Sequence, residues 1–177
     1  DTTQVVDEET ATAITGISIS DVDADDGLIT TQLQVDNGTL GVTLSGTAAI
    51  IAGANGSGDL TIEGSLADVN ATLASLEYTG NETGGDDLAD TLTITTNDQG
   101  NTGTGGGGNV VETVDITITA LNDDPVITAP DTTQVVDEET ATAITGISIS
   151  DVDADDGLIT TQLQVDNGTL GVTLSGT

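Results

Sequence analysis

Alternation of apolar and polar residues is the dominant pattern in this chain. It is clean in Asp90–Thr96, and in Val110–Leu121 the residues Val114, Ile116 and Ile118 fall on one face. A period of two residues is that of a β-strand with one buried face. The same signal, bounded by Gly, Asn and Asp, predicts further strands at Gly16–Ser20, Leu28–Val35, Gly38–Leu44 and Asp59–Glu63.

One segment has the spacing of a helix instead. In residues 65–76 the apolar side chains fall three or four positions apart, at Leu66, Val69, Leu73 and Leu76. Ser65 is followed three residues later by Asp68, which resembles a capping box at the start of a helix. The segment is therefore predicted to form a short helix, or a helical turn, that crosses between two sheets.

The number of short strands and turns indicates an all-β fold of the β-sandwich class. Its core is predicted to be aliphatic because the chain has no Phe or Trp, and Tyr78 is the only aromatic candidate. Residues Gly100–Asn109 contain four consecutive glycines, whose ordering is entropically costly. They are predicted to form a flexible loop.

An internal repeat sets the predicted domain organisation. Residues 131–177 repeat residues 1–47 without a substitution, which gives a period of 130. This period is too long for a solenoid unit, so each repeat is predicted to be a whole domain in a tandem array. The predicted domains are residues 1–124 and residues 125–177, the N-terminal part of the next repeat. The position of the domain boundary stays open, because residues 48–177 also span one complete period and could equally be one permuted domain.

The composition excludes several classes of function. The chain has 177 residues, of which 31 are acidic and none is Lys, Arg or His, and its net charge is −31. Without basic residues it cannot clamp phosphates, so nucleic-acid binding is not expected. Without His, Cys or Lys the usual zinc and haem sites and nucleophilic pairs cannot form. A glycosidase pair of carboxylates would lack aromatic platforms, and no enzymatic activity is expected.

Carboxylate oxygens are the ligands that remain, and they suit calcium. A chain without cysteine has no disulfides to strengthen a modest core, so bound calcium could stabilise an extracellular domain in their place. No apolar run approaches the roughly 18 residues of a membrane span. The expected location is extracellular, at the cell surface, with any targeting segment outside this sequence.

Acidic residues are densest in Asp21–Gly27, a stretch that recurs at 151–157. Read as an EF-hand, it places Asp residues at the first, third and fifth positions of the calcium loop. The sixth position should be Gly but is Asp26, and the twelfth should be Glu but is Gln32. The EF-hand interpretation fails. A glycine-rich nonapeptide calcium repeat also fails, because Gly100–Asn109 has no Asp at the required spacing.

Several motifs in order carry a family resemblance. The segments GISISDVDADDG, GSLADVNATLASLEYTG and TALNDDPVITAP, with VDEET and TTNDQGN, resemble the cadherin-like, immunoglobulin-like tandem repeats of giant bacterial surface adhesins. The resemblance covers the whole period and implies an immunoglobulin-like or cadherin-like β-sandwich. It also implies a calcium cluster at each junction between successive domains.

The resemblance suggests which residues bind calcium. At one junction it implies Glu8 or Glu9 as the acidic residue after the first strand, and Asn122, Asp123 and Asp124 as the linker motif. The paired-Asp motif of the next repeat, Asp151 and Asp153, completes this junction. At the preceding junction it implies Asp21, Asp23 and Asp98. Asp86 and Asp87 correspond to the family's mid-domain acidic motif. The linker lacks the family's leading acid, and the mid-domain motif lacks its basic residue. The number of ions per junction therefore stays open.

The predicted function is structural. Calcium at the junctions would stiffen the array into an extender of a large adhesin, with neighbouring identical repeats as its partners. The alternative is a self-assembling extracellular filament or matrix, in which other copies of the chain complete partial repeats. A carbohydrate-binding module would lack exposed aromatic residues. Because the Asp151 copy has its linker within the chain, it is predicted to be the better-formed junction site.

Overall fold

The computed structural model describes residues 3–24, 27–101, 104, 106–154 and 157–173. It divides the chain into two compact units, Asp1–Asp123 and Asp124–Thr177. The division between these units, after Asp123, lies one residue from the predicted division after residue 124. That this division separates two repeats stays a prediction.

The first unit consists of nine strands and one helix among its described residues. In chain order these are β1 Gln4–Asp7, β2 Thr12–Ala13, β3 Leu28–Gln34, β4 Gly38–Gly41, β5 Ala49–Gly53, β6 Asp59–Ser65, α1 Leu66–Leu73, β7 Glu77–Gly80, β8 Leu88–Asn97 and β9 Asn109–Thr119. One sheet has the order β1-β9-β8-β3-β6-β5 and the other the order β2-β7-β4. Only the β1–β9 pair is parallel among these ladders.

Both sheets contribute to a single core. Leu33 and Leu60 of the larger sheet and Leu40 and Tyr78 of the smaller one are fully buried in the same apolar cluster. The other members are aliphatic, so the predicted aliphatic core with Tyr78 as its aromatic residue is confirmed. The unit is mostly β with one short helix, which is compatible with the β-sandwich class.

The predicted helix forms and connects the two sheets. Helix α1 follows β6 of the larger sheet and precedes β7 of the smaller one. The Ser65 hydroxyl accepts a hydrogen bond of 3.2 Å from the Asp68 N–H and caps the helix as the sequence predicted. The Asp68 carboxylate accepts from the N–H and the hydroxyl of Thr47 instead of reaching back. These bonds lower the pKa of Asp68.

The strands β1 to β4 depend on strands that come later in the chain. The four strands all lie within residues 1–47, and β1 pairs with β9, β2 and β4 with β7, and β3 with β6 and β8. In the described part of the first unit they form no ladder with one another. Residues 1–47 thus obtain their strand pairing from residues 48–119.

The second unit shows the same sequence without that complement. Its strands are β10 Val126–Thr128 and β11 Ser148–Ser150, which pair antiparallel. Seven apolar residues that are at most 7% exposed in the first copy are 44% to 65% exposed in the second: Val136, Ile144, Ile159, Leu163, Val165, Leu170 and Val172. The burial of these side chains is therefore determined by their partners and not by their local sequence.

One predicted strand is absent from the first unit. Residues Gly16–Ser20 do not form a strand in the first unit. In the second unit Ser148–Ser150, which repeats Ser18–Ser20, does form one. In the first unit the side-chain amide of Asn70 bonds the N–H and the C=O of Ile19, at 2.8 and 2.9 Å. A helix side chain thus occupies the backbone groups on one edge of this segment, the edge that faces α1.

A buried polar network fixes the connection between β3 and β4. The Tyr78 hydroxyl donates to the Asp90 carboxylate at 2.7 Å, and this carboxylate also accepts from the N–H groups of Asp36 and Asn37. Burial and the neighbouring Asp90 raise the pKa of Tyr78 well above its usual value. The network holds the turn where the chain passes from the larger sheet to the smaller one.

Replacing Tyr78 by Phe is expected to lower the free energy of unfolding by about 1–2 kcal/mol, because it removes a buried hydrogen bond to a charged acceptor. Urea denaturation followed by far-ultraviolet circular dichroism measures this. The control is Thr79→Val on the outer face of the same strand, with an expected change within about 0.5 kcal/mol. Equal stability of Tyr78→Phe and the unmodified chain would show that the hydroxyl does not contribute.

Candidate metal centre

Three carboxylates converge at one end of the first unit. We call Glu8, Glu82 and Asp123 the Glu8 cluster. One carboxylate oxygen of each residue lies within 4.8 Å of the others. Glu8 follows β1, Glu82 lies in the loop after β7, and Asp123 comes after β9, so three strand ends bring them together. Calcium binds oxygens at about 2.3–2.6 Å, so a single ion could contact oxygens at this separation.

Glu8 is the fixed member of the Glu8 cluster. Its side chain is only 3% exposed, and each carboxylate oxygen accepts a hydrogen bond of 2.6 Å, one from the Leu121 N–H and one from the Thr83 N–H. The bond from Leu121 lowers the pKa of Glu8, the bonds from Thr83 add to this effect, and burial opposes it. A carboxylate that stays charged although it is buried has the properties of a cation ligand.

Glu82 responds to the other two charges. The hydrogen bond of 2.9 Å from the Gly84 N–H would by itself lower the pKa of Glu82. Burial, together with the proximity of Asp123 and the charge of Glu8, outweighs this bond and raises the pKa. The cluster therefore carries electrostatic repulsion, which a divalent cation would relieve.

A second group of acids surrounds the repeated acidic turn. We call Asp21, Asp23 and Asp98 the Asp21 cluster. The Asp21 carboxylate accepts from the Asp23 N–H at 3.1 Å, and Asp21 and Asp98 line the same groove. A hydrogen bond with Asp21, burial and the charges of Asp21 and Asp98 raise the pKa of Asp23. The sequence grouped these three residues and the structure brings them together, but their role as metal ligands stays a prediction.

The second copy of the acidic turn has the same local geometry. The Asp151 carboxylate accepts from the Asp153 N–H at 3.0 Å. Both residues belong to the second unit. The predicted junction site, which groups them with Glu8 and the linker acids, stays a prediction.

The remaining predicted ligands differ in their surroundings. Glu9 is exposed and donates its N–H to the Gly80 C=O at 3.0 Å, so of the Glu8 or Glu9 alternative it is Glu8 that joins the cluster. Asp86 is exposed, while Asp87 accepts from the Ala120 N–H at 3.0 Å and fixes the end of β9. Asn122 donates to the Asp123 C=O at 2.8 Å, and Asp124 is exposed at the start of the second unit.

Glu82 is the residue that sequence reasoning missed. The mid-domain acidic motif was expected at Asp86 and Asp87, but the structure places Glu82 next to Glu8. Glu82 lies two residues after β7, a strand of only four residues that carries no clear alternation. The available signal was the pair of turn glycines after Thr83, which indicates a loop directly behind Glu82.

Among the described residues, none of the helices has the length and apolar character needed to cross a membrane. Comparison with protein-family models, with characterised proteins and with solved structures found no match to this chain.

Proposed function

We propose that the chain is a calcium-binding structural extender of a large extracellular surface protein, built from cadherin-like or immunoglobulin-like β-sandwich repeats. The observation that carries the proposal is the Glu8 cluster. Its three carboxylates converge in a protein that has no Lys, Arg or His to compensate their charge. A cation from solution is then the available counter-charge, and an all-oxygen set favours calcium.

The position of the cluster supports a mechanical role. Asp123 directly precedes the second unit in the sequence, and Glu8 holds the chain just before it through the Leu121 N–H. A calcium ion on Asp123 would restrict the short segment between the units, because the ion would link it to β1 and to the loop after β7. An array of such units would become stiffer and longer when calcium binds.

Replacing Glu82 by Gln is expected to weaken calcium binding at the Glu8 cluster about tenfold or more, because it removes a charged ligand from the set. Without calcium the same substitution is expected to stabilise the protein at pH 7. The pKa of Glu82 is raised in the folded state, which means that the charged carboxylate destabilises the fold. Protonation of Glu82 removes this penalty, but it occurs only as the pH falls through the raised pKa, and therefore not at pH 7. Gln mimics the protonated form at pH 7.

Calorimetric calcium titration and thermal melting in chelator measure the two effects. Glu77→Gln on the exposed face of β7 is the matched control and should change neither. Small-angle X-ray scattering with and without calcium then tests the stiffening. Unchanged calcium affinity in Glu82→Gln would remove the Glu8 cluster from the proposal, and unchanged dimensions would remove the mechanical role.

A further inference from the structure

A groove of about 880 Å³ opens on the first unit beside the Asp21 cluster. One wall is the segment Gly16–Val22, and the other consists of the C-terminal end of β8 and the first half of β9, with Ile29 of β3. Apolar side chains from both walls line it, including Ile17, Ile19 and Val114, and Val110 at its edge is 64% exposed. These β9 residues belong to the face that elsewhere packs into the core. At this end of the unit the segment Gly16–Val22 therefore leaves part of the inner face of β8 and β9 uncovered.

The wall Ser18–Ser20 has an identical counterpart that is paired. In the second unit the same three residues form β11 and pair antiparallel with β10, with Val126 opposite Ser150, Ile127 opposite Ile149 and Thr128 opposite Ser148. In the first unit the segment lies in no ladder. One sequence thus has a strand neighbour in one copy and an open groove in the other.

The backbone of this wall is prepared for a strand on the groove side. Asn70 binds both backbone groups of Ile19. In an extended segment the backbone groups of successive residues point to opposite sides, so those of Ser18 and Ser20 face away from Asn70. In the part of the chain that the structure describes, these two residues have no backbone partner. They form a short free edge.

We propose that this groove receives a strand with the sequence of residues 125–130, Pro-Val-Ile-Thr-Ala-Pro, paired antiparallel with Ser18–Ser20. The register follows from the second copy, with Val opposite Ser20, Ile opposite Ile19 and Thr opposite Ser18. In a tandem array, the segment one period earlier supplies this strand. Affinity comes from main-chain hydrogen bonds to the edge and from burial of the Ile side chain, which lies on the same face as Ile19 and therefore enters the groove.

The charges around the groove favour the same occupant. Asp21, Asp98 and Glu112 line it, so an acidic segment would be repelled. The sequence Pro-Val-Ile-Thr-Ala-Pro is uncharged, unlike the Asp-rich residues that precede it. Its two prolines flank the pairing residues, where they need no ladder hydrogen bond.

The test is a variant with Pro-Val-Ile-Thr-Ala-Pro added directly ahead of Asp1, compared with the unextended chain in excess chelator. The melting temperature is expected to rise by about 4 °C. Amide hydrogen exchange at Ser18 and Ser20 is expected to slow about tenfold. Ser148 and Ser150 in the second copy serve as internal controls and should not change. Because calcium is removed, failure of this experiment would leave the calcium proposal untouched.

Two controls separate groove binding from a general effect of the extension. An extension with Asp in place of its Ile should give no rise in melting temperature, because a charge cannot enter the apolar, acidic groove. The substitution Val110→Asn in the groove should reduce the rise while leaving the unextended chain within about 2 °C. Unchanged exchange at Ser18 and Ser20, or an equal rise with both extensions, would overturn the proposal.

Discussion

Removal of calcium is expected to lower the melting temperature of the first unit by about 10 °C. A ligand that binds only the folded state at about 100 times its dissociation constant adds about 2.7 kcal/mol to the free energy of unfolding. In a unit of this size each kcal/mol shifts the melting temperature by about 4 °C. The repulsion among Glu8, Glu82 and Asp123 then acts without a counter-ion.

Differential scanning calorimetry in millimolar calcium and in excess chelator measures this shift. Magnesium is the control, because it needs a near-ideal octahedral site and gives up its water reluctantly. It is expected to restore only a small part of the loss. Equal melting temperatures in calcium and in chelator would contradict calcium as the stabilising ion.

The second large effect separates two leucines with identical sequence neighbours. Leu33→Ala is expected to lower the free energy of unfolding by about 2–5 kcal/mol, because Leu33 is fully buried in the core of the first unit. Leu163→Ala is expected to change it by less than about 0.5 kcal/mol, since Leu163 is 52% exposed. The two variants have the same amino-acid composition, and the replaced leucine has the same sequence neighbours in each. A difference in their stability therefore reflects the different burial of the two leucines.

Urea denaturation of the two variants at equal concentration measures the difference. A substantial cost for Leu163→Ala that grows with protein concentration would contradict the prediction. It would favour the alternative in which neighbouring chains complete the second copy and assemble into a filament.

The strands with a clear period were predictable from the sequence, and of the strands of five residues or fewer in the first unit only β4, within the predicted Gly38–Leu44, was predicted. β8, β9 and β3 alternate over seven residues or more, and α1 carries its own cap. β1 and β7 have only four residues each. They form because other strands provide partners, β9 for β1 and β2 and β4 for β7, and that information lies far away in the sequence. The Gly16–Ser20 segment shows the opposite case, in which a good strand pattern lacks its neighbour.

The candidate centre was predictable as a set of acidic motifs but not as an arrangement. Glu8, Asp123 and the trio of Asp21, Asp23 and Asp98 were selected from the sequence, and the structure brings members of each group together. Glu82 and the structural role of Asp87 depend on how the loop after β7 runs past the ends of β1 and β9. Such loop paths leave no periodic pattern in the sequence.

The order of strand pairing has a consequence for synthesis on the ribosome. Residues 1–47 emerge before residues 48–119, yet β1 waits for β9, whose residue Ile116 pairs with Gln4. At about 5–20 residues per second, translation takes roughly 6–25 s to deliver the partner, and pairing between such distant residues is itself slow. Throughout this interval the nascent segment exposes aliphatic residues. The acidic residues spread along it would then keep the unfinished chain soluble and apart from its identical neighbours.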